Sequence, residues 1–361
     1  MTDPLIALVS PVFTVGGELS RDLARDCVRL EVDEGVEGLR TLQAHFLAVG
    51  PGAAGPQGRM LYLDGQLIDF GKAIQVSVGP GAAERTVFDG VVSAIELVFG
   101  DSEPPRVVVF AEDALMRLRM TRRMRTYAKT TDGELVEAIA REHGLQSEVT
   151  VDGPRYDVVQ QVNQSDLAFL RERARLIRAE LWCTGRTLHF SSRPRRTGTA
   201  LTLVQGNELL TARVMADLAH QRSEVAVSGY DASTKAVIDQ RAGPDVVSAE
   251  TTGGRTGPSI VRTALGPATT LRVRETALTS DEAHAWAAAE MLRRARGFVT
   301  VAGTTRGSPD MVVGSLLRLE HIGPPFEGDG YYVTRVHHTF DHVQGLRTRF
   351  EAERATINEV A

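Results

Sequence analysis

A chain of 361 residues with 42% hydrophobic and 24% charged side chains can bury two or three ordinary cores. Its 41 basic and 46 acidic residues leave a formal charge of -5, which argues against a general nucleic-acid binder. Two cysteines (Cys27, Cys183) suit a reducing compartment, Asp3 and Pro4 stand where a signal peptide needs basic residues, and no apolar run reaches the roughly 18 residues of a membrane span.

The first arm, 1–112, reads as short strands between turn residues. Candidates are Leu5 to Val9, Val12 to Val15, Cys27 to Val32, Ala44 to Val49, Gln66 to Phe70, Ala73 to Val78, Arg85 to Ser93 and Val107 to Ala111. Cys27 to Val32 alternates as a half-buried strand should. Such spacing suggests a small antiparallel barrel or sandwich. Gly50 to Gly55 has the letters of a dinucleotide loop, but Pro56-Gln57-Gly58 follows where a helix N-terminus is needed. The same GPGAA letters recur at Gly79 to Ala83, so both read as loops.

The segment 113–129 is basic, with Arg117, Arg119, Arg122, Arg123, Arg125 and Lys129. With Tyr127 its one aromatic, it reads as a solvated or subunit-facing connector whose arginines meet carboxylates on a neighbour, in preference to a phosphate patch.

The central stretch, 129–190, alternates helix and strand signals. Thr131 and Glu134 form a capping box, and Leu135, Val136, Ile139 and Ala140 share a face up to Gly144. A strand at Glu148 to Val151 and an extended Tyr156 to Val162 follow. Ser165 is the N-cap of a second helix, with Asp166 at its positive end and Phe169, Leu170, Arg173, Ala174 and Ile177 at helical spacing. Leu181 to Cys183 and Thr187 to Phe190 read as a hairpin.

Beyond it, Leu201 to Leu203, Leu209 to Val214 and Glu224 to Tyr230 are strand candidates. Residues 242–258 read as a Gly/Thr/Ser-rich loop, and Thr270 to Val273 as a short strand. Thr279 and Glu282 open another helix, carried by Ala283, Trp286, Ala287, Leu292 and Ala295 to Gly297. Strands return at Phe298 to Ala302, Ser315 to Ile322, Tyr331 to Phe340 and Leu346 to Ala352.

No catalytic constellation is visible in the sequence. His337 and His338 are adjacent on a strand and point to opposite faces, and neither they nor His342 sit in a metalloprotease motif. Cys183 lies in a short apolar strand, where a thiol is inert. Scattered carboxylates leave a carbohydrate hydrolase as an alternative, which needs two carboxylates at a defined separation. A nucleic-acid binder using Arg117 to Lys129 is a further alternative.

Two motifs carry a family resemblance. Gln161 to Leu170, with Ser165-Asp166 and Phe169-Leu170, precedes a helix and a hairpin ending in Leu188-His189-Phe190. Gly328 to His338, with Tyr332, Val333, Val336 and His338, is followed by a final strand at Thr348 to Arg354. In order and spacing these resemble the phage late-control D proteins, the baseplate hubs of contractile tails, similar to the N-terminal part of valine-glycine repeat protein G. The likeness spans about 5–355. One departure is Arg178-Ala179-Glu180, where that family more often has a glycine after the helix.

The resemblance implies a mainly β fold with an α+β part: two small antiparallel β-barrels flanking an α/β domain. The barrels would be 1–112 and, discontinuously, 199–241 plus 297–356. The α/β domain would be 113–198 plus 242–296, with 357–361 a tail. Three subunits would form a pseudo-six-fold ring, a homotrimer adapting a six-fold inner tube protein to a three-fold spike. The spike is expected on a separate polypeptide, with baseplate components as further neighbours. The resemblance implies no enzyme activity, cofactor, metal or specific nucleic acid; with it, the alternatives become a phage-tail-associated cell-wall hydrolase and a nucleic-acid-binding tail component. The chain would be made in the cytoplasm and built into a phage tail or injection particle. Ser165, Asp166, Phe169, Leu170, Leu188, Phe190, Tyr332, Val333, Val336 and His338 are signature residues with structural roles.

Overall fold

The computed structural model describes residues 10–50, 60–79, 84–267, 270–272 and 276–359. The strand expected at 5–9, the loop residues 51–55 and 80–83, and Val273 lie outside the described residues.

The first arm contains β1 (Val12–Val15), β2 (Glu18–Ser20), α1 (Arg21–Asp26), β3 (Cys27–Gly35), β4 (Thr41–Leu47), β5 (Ala73–Val78), β6 (Arg85–Val98) and β7 (Arg106–Glu112). β4 shows why: Leu42, Ala44 and Phe46 are buried, and the residues between them face outward. Residues 66–70, expected as a strand, form turns instead. Asp64 and Asp69 side chains accept the Gln66 and Phe70 N–H groups at 3.0 and 2.8 Å, which competes with a strand ladder.

The middle contains α2 (Met116–Arg119), β8 (Arg122–Thr130), α3 (Asp132–Glu142), β9 (Gln146–Thr150), β10 (Tyr156–Ser165), α4 (Asp166–Leu176), β11 (Ala179–Thr184) and β12 (Thr187–Ser192). The basic connector is thus largely a strand, β8, paired with β10. The capping box at Thr131 and Glu134 is complete. Gly144 takes φ 66°, its N–H reaches the Arg141 carbonyl and the Leu145 N–H the Ala140 carbonyl, a Schellman closure of α3. After α4 the left-handed position falls on Arg178, at φ 64°. The expected glycine is absent, but the turn it would make is present.

The rest contains β13 (Ala200–Val204), β14 (Leu209–Ala216), β15 (Glu224–Asp231), β16 (Ala236–Ala242), α5 (Asp245–Ser248), β17 (Arg255–Thr256), α6 (Gly257–Leu265), β18 (Thr270–Arg272), α7 (Ser280–Arg296), β19 (Val299–Arg306), β20 (Leu316–Glu320), β21 (Gly328–Asp341), β22 (Gly345–Arg354) and β23 (Thr356–Ile357). The loop expected over 242–258 instead holds α5, β17 and the start of α6. Thr256 caps α6, accepting the Ser259 N–H at 3.3 Å, with Pro258 in the first turn. At α7, Thr279 accepts the Glu282 N–H as expected, while the Glu282 carboxylate reaches one residue further back, to the Leu278 N–H at 2.8 Å.

The chain is mainly β, with large antiparallel pairing and an α/β part. One 13-stranded sheet runs β14-β19-β22-β21-β3-β4-β7-β6-β5-β1-β2, with β20 and β13 attached through β21. It carries two apolar clusters. One holds Phe13, Leu30, Phe46, Phe88 and Val109; the other holds Leu209, Val301, Met311, Tyr331 and Phe350. A third cluster lies among the helices, with Leu135, Ile139, Phe169, Leu170, Phe190, Trp286 and Met291.

The segment 199–241, expected in a single barrel, is divided. β14 joins the large sheet, whereas β15 and β16 form a separate sheet with β18. Val225, Val227 and Ile238 bury into the helical cluster, because α7 packs on β15 and β16. Gly229 makes room for this: a Cβ there would lie 1.9 Å from the Ala277 carbonyl oxygen.

Candidate functional site

The signature residues fall in two groups. Ser165 accepts the Ala168 N–H at 3.2 Å and caps α4. Asp166 is buried beneath it, bonded to Gln161 Nε2 at 2.9 Å, Arg123 Nε at 2.8 Å and His143 Nε2 at 2.8 Å. Burial alone would raise its pKa, but these partners outweigh that and hold it below the usual carboxylate range. Phe169 stacks on Tyr127 at 5.9 Å, and Leu170, Leu188 and Phe190 are fully buried beside it.

The second group lies on β21. Val333 and Val336 bury into the cluster shared with Phe350. His337 and His338 face opposite sides: His337 meets Asp33 and Glu31 at 3.4 and 3.6 Å, while His338 is buried against Thr348 Oγ1 at 3.0 Å. Burial, reinforced by the Arg40 charge, pushes the His338 pKa from 6.5 to about 3. The unfolded chain therefore takes up a proton near pH 6.5 that the fold refuses until about pH 3. The stability contributed by neutral His338 is complete above 6.5 and is lost as pH falls toward 3. His338→Gln should flatten the acid decline of unfolding free energy by up to about 1.4 kcal/mol per pH unit, read from urea midpoints. An unchanged pH slope would contradict this account.

Tyr332 links the two groups. Its hydroxyl donates to Glu180 Oε2 at 2.7 Å, on the β11 strand that follows α4. Around this contact lies a buried ionic network that the sequence reading missed. Arg196 donates to Glu34 at 2.7 Å and to Glu180 at 3.3 Å; Arg193 reaches Glu180 at 3.1 Å and Glu353 at 2.6 Å; Arg40 Nε reaches Glu34 at 2.9 Å. The Arg196 guanidinium also covers Trp182 and that of Arg193 covers Tyr332. Three carboxylates and three guanidiniums thus join β3, β11, β21 and β22. Burial opposes the Arg193 charge, yet Glu353 and Glu180 outweigh it and raise its pKa. The available sequence signal was the run Arg193-Pro194-Arg195-Arg196, with nothing to mark its partners.

Other ionisable groups serve packing. Burial pushes both thiols up to about 12. Cys183 pairs with Leu188, while His189 pairs with Trp182 and stacks on it, so thiol and imidazole lie on opposite faces of the hairpin. Across the middle of the large sheet runs a groove of about 680 Å3 lined by Glu31, Asp33, Gln43, Arg335, His337 and Glu351. Its acids face cations: Asp33 meets Arg335 at 3.0 Å and Glu31 meets Arg29 at 2.6 Å. Despite burial, His337 and Arg335 keep Asp33 ionised below its usual range, unlike a proton-donating acid. Of the basic stretch, Arg123 and Arg125 pair with Glu142, Arg119 with Glu112 and Lys129 with Asp157.

The fold has relatives among solved structures. A 43 kDa tail protein of prophage MuSo2 from Shewanella oneidensis aligns over 96% of this chain and 98% of its own, at 13% identity and TM-score 0.65. A tail protein from Neisseria meningitidis MC58 aligns over 96% of each, at 11% identity and TM-score 0.61. An E. coli component of the type VI secretion system, itself similar to T4 tail proteins gp27 and gp5, aligns over 97% of this chain and 79% of its own, at 14% identity and TM-score 0.56. At these identities the likeness establishes the fold, that of phage tail and type VI secretion proteins. No curated protein matches the sequence. The family model of the Alg8 N-terminal domain matches residues 61–342, and the chain belongs to that family.

Proposed function

We propose that this chain is the structural hub of a contractile tail or injection machine. In this reading it is a homotrimer that adapts a six-fold inner tube to a three-fold spike. The observation that carries it is the single sheet bearing two separate apolar clusters, in a fold shared along nearly its whole length with tail proteins. Two such halves per chain would place six around a three-fold axis. A heterologous contact between copies closes into a ring when its rotation permits. The helical part, 113–198 together with 224–296, would sit outside the ring, with 199–223 and 297–356 completing the second half. Tube, spike and other baseplate proteins would then be its partners. Light scattering should give three times the 39.2 kDa chain mass, and electron-microscopy class averages should show a three-fold ring with a pore. Monomers, alone and with spike protein added, would overturn the reading.

A further inference from the structure

The β8–β10 ribbon is a two-stranded sheet with strongly unequal faces. Inward, Tyr127, Val159 and Gln161 pack toward α4, and Arg123 and Arg125 are consumed in ion pairs. Outward, Met124 stands opposite Val162, Thr126 opposite Gln160 and Ala128 opposite Val158. Met124 is 72% exposed, Val162 56% and Val158 44%. The fold therefore leaves apolar residues in water on either side of the polar Thr126–Gln160 pair, on a face of regular geometry. Asn163, at φ 50°, makes a bulge at its end, where its N–H donates to the Met124 sulfur at 3.2 Å.

Among the described residues, the charge that ends this stripe is basic. None of these outward positions is a carboxylate. Arg122 closes the stripe, and among the described residues its side chain hydrogen-bonds the neutral Asn163 oxygens alone, at 2.8 and 3.1 Å. Asp157, the exposed carboxylate at the ribbon's start, is already paired with Lys129.

We propose that the outward face of the ribbon docks an amphipathic segment of another polypeptide, one that carries acidic residues beside its apolar stripe. Met124 supplies an adaptable apolar contact, Val158 and Val162 rigid ones, and Arg122 the charge that sets the partner's sign.

The test uses the full chain and a labelled synthetic helical peptide with a Leu/Met stripe flanked by Glu, alongside its twin with Lys for Glu. Anisotropy titrations should show the Glu peptide binding at least about tenfold tighter, with the preference weakening as salt rises. Met124→Asp combined with Val162→Asp should reduce that binding by about tenfold or more without changing the melting temperature. Equal affinity for the two peptides would overturn the proposal, as would binding unaffected by the double change. So would a loss of self-association in the double variant without peptide, because the face would then belong to a second copy.

Discussion

Arg196→Met should lower the free energy of unfolding by about 3–5 kcal/mol. The side chain is 4% exposed and lies between Glu34 and Glu180, themselves buried. Methionine fills much of the volume but leaves two carboxylates with one fewer cation in a site that water does not reach. Removing one partner of a buried pair costs more than the intact pair contributes, since the remaining charge stays desolvated. Glu34 keeps Arg40, and Glu180 keeps Arg193 and Tyr332, so the fold should weaken without collapsing. Two controls separate this from loss of packing. The deficit should be insensitive to salt, and adding Glu34→Gln should recover part of it. A loss below about 1 kcal/mol in urea titrations would place the network among surface ion pairs and refute the account.

Phe169→Ala should cost about 3–5 kcal/mol by the same assay. The ring is 2% exposed, stacked on Tyr127, and central to the helical cluster. Truncation removes both the buried area and the aromatic pair, and a cavity among α3, α4 and β12 relaxes only partly. Under the proposed function, tube and spike docking should decline only in step with stability. Loss of tube docking with unchanged melting would show that Phe169 serves a binding surface instead.

What could be read from the sequence was local. The caps at Thr131 and Ser165 and the alternation at Cys27 to Val32 depend on neighbours a few residues away, and the structure places those elements close to where they were expected. The helix after Thr256 was hidden by composition, although a threonine cap with Pro258 in the first turn was a usable signal. The basic stretch was misread in form because nothing near Arg123 announces Glu142 or Asp166, which reach it only through the fold. The same holds for the network: Glu34 and Arg196 are 162 positions apart, beyond any periodicity. Glu180 lay within the noted departure from the family pattern, yet its burial depends on Tyr332 and Arg196 arriving from elsewhere.

The placement of β21 beside β3 has a consequence for how the molecule is made. Asp33 and Arg335, 302 positions apart, are bonded across that seam. While a ribosome is still making the middle of the chain, β3 has β4 on one side and nothing yet on the other. Its free edge can recruit the same strand from a neighbouring nascent chain. Joining such distant strands is also slow, because a long loop must close before the contact rewards it. The first half of the sheet is therefore expected to depend on chaperones or dilution until the last strands emerge. Truncations lacking 328–341 should aggregate through β3 even where their own cluster around Phe46 is complete.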